Sequence, residues 1–108
     1  MRLTDKEMEI MGVLWRSQSP MTAMELIEAS DNRTWKENSI YTIMNTLVKK
    51  EAVALTHHKP TVTNTARAYM PKLKSEEYTA HYVSSIIEAG IDISIPALVE
   101  CLAKIEKG

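Results

Sequence analysis

Asn38, Ser39, Thr42 and Asn45 follow one another at intervals of one, three and three residues, so on a helix they share one side. Tyr41 stands beside that row, and Lys49 and Lys50 close the stretch NSIYTIMNTLVKK, which contains no carboxylate. Side-chain amides pair bidentately with adenine edges, hydroxyls meet several base edges, and threonine methyls pack on the thymine methyl. Lysines at the far end suit phosphates, which hold a protein in register without reading sequence. The other side of the same stretch, Ile40, Ile43, Met44, Leu47 and Val48, has the spacing of a buried stripe. The plain alternative is a solvated polar face whose lysines complement the helix dipole.

Charge is divided unevenly along the chain. Residues 1–32 hold three basic and six acidic side chains, 33–74 hold eight and two, and 75–108 hold two and six. A net charge of −1 therefore conceals a basic middle between acidic ends, the asymmetry of a polyanion-binding surface. Lys36 before the polar stretch and Arg67 beyond it add candidate phosphate contacts.

The elements that must position these residues follow from local signals. Thr4 with Glu7 and Thr22 with Glu25 are capping boxes that open a first helix to Arg16 and a short second one. Met8, Met11, Leu14 and Trp15 are spaced as the buried face of the first, and Met24, Leu26, Ile27 and Ala29 belong to the second. After the third helix, alternation at Val53, Leu55 and His57 and the returning ARAYMP predict a two-stranded hairpin. Ser75 is the expected cap of a fourth helix and Gly90 its stop. Ser94 and Pro96 suit the start of a fifth, striped by Ile95, Leu98, Val99, Leu102 and Ile105. Three helices and a hairpin are the order of a winged helix-turn-helix, in which the third helix enters the major groove. The expected fold is mainly α with a small β-hairpin: a winged helix-turn-helix over 1–74, followed by C-terminal dimerisation helices over 75–108.

EMEIMGVLW (Glu7 to Trp15), SIYTIMNTLVKKEAV and ARAYMPKLKSEEY together resemble the first helix, third helix and wing exit of the BlaI/MecI penicillinase repressors. The resemblance covers about residues 3–82, with Ser39, Ile40, Thr42, Leu47 and Lys50 matching the third-helix pattern. It implies a homodimeric repressor that binds an inverted-repeat operator through this helix. Thr46 stands where the family commonly carries Arg and is placed with the backbone contacts Lys36, Lys49, Lys50 and Arg67; Asn38, Ser39, Tyr41, Thr42 and Asn45 are placed on bases. Glu51 replaces the glycine expected at the helix exit, and Met70 an aromatic; the wing loop, His57 to Thr65, is longer than usual. The family's antibiotic-sensing branch is cut at an Asn-Phe bond and its copper-responsive branch carries a cysteine cluster. This sequence has no phenylalanine and only Cys101, so neither inducer mechanism transfers.

Two apolar stripes near the C-terminus exceed what two helices bury between themselves. Tyr78, Tyr82, Ile86, Leu98, Leu102 and Ile105 are accordingly the candidate interface of a two-fold dimer, matched to a palindromic operator. His57 and His58 are adjacent on a strand and point to opposite faces, and His81 and Cys101 are distant, so no metal or other cofactor is expected. No phosphate loop or nucleophile–base signature argues for an enzyme. A single cysteine, no secretory signal and no apolar run near the roughly 18 residues of a membrane span point to a cytoplasmic chain with no membrane partner. A winged-helix module that binds protein rather than DNA is the alternative.

Overall fold

A computed structural model describes residues 2–17, 19–60 and 65–107, with residues 57–60 and 65 described by their backbone alone. In order, the elements are α1 (Asp5–Arg16), β1 (Met21–Thr22), α2 (Ala23–Ala29), a 3-10 turn (Glu37–Ser39), α3 (Ile40–Lys49), β2 (Val53–Pro60), β3 (Thr65–Pro71), α4 (Ser75–Glu88) and α5 (Ile95–Lys107). The strands form one antiparallel sheet in the order β1-β3-β2. This is a winged helix with two further helices. The expected hairpin is therefore one strand short: Met21 and Thr22 pair with Tyr69 and Ala68. Two residues are too few to show a period, which is why that strand left no trace in the sequence pattern.

Both capping boxes form as their spacing predicts. Thr4 N–H donates to Glu7 Oε1 at 2.8 Å and Glu7 N–H to Thr4 Oγ1 at 3.3 Å. Thr22 and Glu25 repeat the arrangement at 2.8 and 3.2 Å. Ser94 Oγ accepts from Ala97 N–H and opens α5 as expected. The cap of α4 lies one residue earlier than Ser75: Lys74 occupies it, and Glu77 Oε1 accepts from the Lys74 N–H at 2.8 Å.

The core joins Ile10, Met11 and Leu14 of α1, Leu26 of α2, Ile40, Met44 and Leu47 of α3, and Val53 of β2, all fully buried. On α1 the buried side is turned from the expected one. Met11 and Leu14 are inside, but Met8 is 40% exposed, while Glu7, Ile10 and Val13 are buried. The rotation follows from Glu7, a carboxylate drawn inward by a cation described below. Trp35 is buried just before α3, with the Arg33 guanidinium 5.2 Å from its ring centroid.

Tyr78 corrects the proposed dimer interface. It is buried within the protomer, its ring 6.0 Å from that of Trp15 and its hydroxyl accepting from Leu3 N–H at 3.1 Å. The first turns of α4 thus pack on the winged domain, and Trp15 Nε1 holds the approach by donating to Leu73 O at 2.9 Å. Beyond them the chain leaves the core. Ile95, Val99, Leu102 and Ile105 are all exposed, Ile105 by 74%, and the molecule extends 53 Å along its long axis.

Two helices end in the same way. After α4, Gly90 takes φ +102° while its N–H bonds Ile87 O and that of Ile91 bonds Ile86 O. After α3, Glu51 takes φ +62° while its N–H bonds Val48 O and that of Ala52 bonds Leu47 O. Both are Schellman turns, and the second places a side chain where glycine is preferred. A left-handed non-glycine costs roughly 1–2 kcal/mol, against about 0.5–1 for the extra freedom glycine loses. The exposed Glu51–Lys72 contact at 3.7 Å contributes little. Glu51→Gly is expected to stabilise the chain by about 0.5–1 kcal/mol, read as a higher midpoint in urea with an unchanged slope.

Candidate nucleic-acid interface

The two sides of α3 separate as their residue types require. Ile40, Met44 and Leu47 are buried, Ile43 and Val48 half-buried, and Tyr41, Thr42, Asn45 and Lys49 exposed, Tyr41 by 63%. Asn38 and Ser39 lie in the 3-10 turn rather than on the α-helix, Asn38 exposed and Ser39 half-buried. A tighter turn at a helix N-terminus keeps them on the approach to the same face. Thr46 is half-buried and its Oγ1 donates back to Thr42 O at 3.0 Å, leaving its lone pairs for an outside donor. Lys36 and Arg67 are exposed. Among the carboxylates near this face, Glu37 faces Arg33 at 3.7 Å.

Burial pushes the Tyr69 phenol up, nearby Tyr41 pushes it the same way, and Arg67 pulls it back. The Tyr69 hydroxyl is thus within electrostatic reach of Tyr41 on α3 and of Arg67 on β3. Tyr69 was not among the residues singled out from sequence. Its signal was the apolar side of the returning strand, which alternation marks as core.

Lys50 has a different occupation from the one its position suggests. Its Nζ lies 2.6 Å from Glu7 Oε1 and 3.1 Å from Arg2 O, with 28% of the lysine side chain and 5% of the glutamate side chain exposed. Burial pushes the Glu7 carboxyl up, but the Lys50 hydrogen bond, the Thr4 backbone and the Lys50 charge outweigh it and hold it below the ordinary glutamate value. The ammonium seats the end of α3 on the start of α1. A second carboxylate of α1 fixes the approach to α3: Glu9 accepts from both the N–H and the hydroxyl of Thr34, which holds its carboxyl low. Lys49, one residue earlier, is the exposed lysine of the pair.

The family model described as Penicillinase repressor matches residues 3–107. This chain belongs to the penicillinase repressor family. Family members are transcriptional regulators, not enzymes. The chain is 32% identical over 77 residues to the penicillinase repressor of Bacillus licheniformis, a match covering 71% of this chain and 56% of that protein. The chain therefore spans little more than half the length of that relative. Among solved structures it is similar to the Helicobacter pylori ferric uptake regulator Fur, with a TM-score of 0.51 and 16% identity over 82% of this chain and 72% of that one. That likeness concerns the fold alone. Among the described residues no group of three or more His, Cys, Asp or Glu side chains is placed to hold a metal ion, and the side chains of 57 and 58 lie outside them. Among those residues no helix is long and apolar enough to cross a membrane.

The two adjacent lysines give a direct contrast. Lys50→Met leaves a buried carboxylate unpaired and is expected to cost roughly 1.5–3 kcal/mol, the partly exposed ammonium softening the loss. Lys49→Met is expected to stay within about 0.5 kcal/mol. Because the folded Glu7 carboxyl is held low, its contribution is complete above the ordinary glutamate value and lost as pH falls through the folded value. Denaturation of wild type and Lys50→Met from pH 7 to pH 3 should show the gap closing at the acid end.

Proposed function

We propose that this chain is a DNA-binding repressor that places α3 in the major groove of an inverted-repeat operator as a homodimer. The observation that carries the reading is the exposed, carboxylate-free pair Thr42 and Asn45 on a helix whose other side is fixed in the core, with exposed Asn38 in the turn that leads into it. Asn45 and Thr42 would meet base edges, Ser39 and Tyr41 the flanking base or sugar, and Lys36, Thr46, Lys49 and Arg67 the phosphates. Lys50 acts one step removed, by holding the helix exit on Glu7. DNA as target places the protein in the cytoplasm.

Residues 75–108 form the dimerisation region in this reading, with Tyr78 reserved for seating α4 on residues 1–74. The stripe Leu98, Leu102 and Ile105 of α5, with Ile86 and the outer edge of Tyr82 on α4, meets its two-fold copy. Five exposed large apolar side chains from Ile91 to Ile105 support this pairing, because a soluble chain seldom leaves such a row in water. In sedimentation, wild type should run as a pair and Leu102→Asp as a single protomer. An unchanged pair would place the interface elsewhere.

Fluorescence anisotropy on duplexes from the region upstream of the chain's own gene tests the DNA reading. Log affinity should fall linearly with log salt, and Lys49→Gln should reduce the slope by about one. Asn45→Ala should lower the preference for specific over random duplex by roughly 1–3 kcal/mol. Absence of binding at low salt, with the fold intact, would favour a winged-helix module that recognises protein.

A further inference from the structure

A cleft of about 300 Å³ lies between the N-terminal segment, α1 and α4. Its lining includes Arg2, Leu3, Asp5, Met8, Tyr78 and Tyr82. That volume matches a single-ring organic molecule, at the lower end of the usual range for ligand sites. We propose that this cleft binds a small aromatic monocarboxylate.

Three side chains with donor capacity line it, the Arg2 guanidinium and the phenols of Tyr78 and Tyr82. The Arg2 guanidinium lies 5.3 Å from the Tyr82 ring centroid and donates to Tyr82 Oη at 3.3 Å, and among the described residues it meets no carboxylate. Tyr78 Oη accepts from Leu3 N–H, and Tyr82 Oη accepts from Arg2. Neither phenol donates its own proton to any described residue. A guanidinium beside two phenol protons is a charge-assisted site for one anionic group.

The walls select the remainder of the ligand. The Tyr78 and Tyr82 rings, 6.3 Å apart and tilted by 37°, and the exposed thioether of Met8 offer flat, polarisable surface to an aromatic ring. Asp5 is the carboxylate of the lining, and its charge disfavours phosphate and dicarboxylates while accepting a ring hydroxyl or amine.

The place of the cleft gives binding a consequence. The Arg2 carbonyl accepts from Lys50 Nζ at the exit of α3, while the Leu3 amide holds Tyr78 of α4. A ligand on Arg2 therefore acts on the joint between α3 and α4. That consequence rests on the DNA-binding reading, whereas the binding itself does not.

Sodium benzoate titrated into the full ¹⁵N-labelled chain tests the site, with sodium acetate in parallel. Benzoate should produce saturable shifts at the amides of Leu3 and Thr79 and at the Arg2 side chain, with a Kd on the order of 1 mM. Acetate should not saturate over the same range. Arg2→Gln, at an exposed position, should weaken benzoate at least tenfold without disturbing amides of the core. Non-saturating shifts, saturation unaffected by Arg2→Gln, or shifts centred between α4 and α5 would overturn the proposal. Benzoate at ten times its Kd should then change duplex affinity of wild type and not of Arg2→Gln. If the chain bound no duplex, the DNA reading would fail and the benzoate titration would still decide the site.

Discussion

The ammonium of Lys50 against the carboxylate of Glu7, 2.6 Å apart and largely out of water, is the constraint from which the rest of the molecule is arranged. Glu7 also accepts from Thr4 N–H, so one carboxylate caps α1 and anchors the end of α3. Removing either partner would strand a charge in a poorly solvated place, a larger loss than the pair's net contribution to stability. The pair therefore acts mainly as a register pin. It fixes which side of α1 faces inward, and with it the angle at which α3 presents its outer face.

From that pin a short strap reaches α4. Arg2 accepts from Lys50 through its carbonyl and meets Tyr82 through its guanidinium, while Leu3 donates to Tyr78. Trp15 and Leu73 close the same junction from the other side. The helix that would read bases and the helices that would pair two protomers are thus tied through two residues. In a two-fold assembly, such a joint sets the angle and spacing of the two reading helices, which half-site spacing must match.

Much of this was legible in the sequence wherever the signal is local. Thr-x-x-Glu names a cap within four residues, and both boxes form. The stripe of α3 and the order of helices and strands follow from periods of a few residues, and family resemblance gave the same order. What was not legible depends on contacts between distant residues. Lys50 and Glu7 are separated by 43 positions and Tyr78 and Leu3 by 75, so a lysine looked like a phosphate contact and a tyrosine like a dimer contact. The inward turn of α1 has the same origin, because an acidic residue reads as exposed until its partner is known. Glu51 is the opposite case: its departure from glycine was visible, and the structure shows the left-handed turn retained with glutamate in it.

A crystal structure of the chain with a duplex it binds would test the central claim most directly. In that complex Thr42 and Asn45 should lie within hydrogen-bond distance of base edges, Lys49 near a phosphate, and Lys50 Nζ still on Glu7. A complex in which Lys50 has left Glu7 for a phosphate, or in which another face of the domain enters the groove, would contradict it.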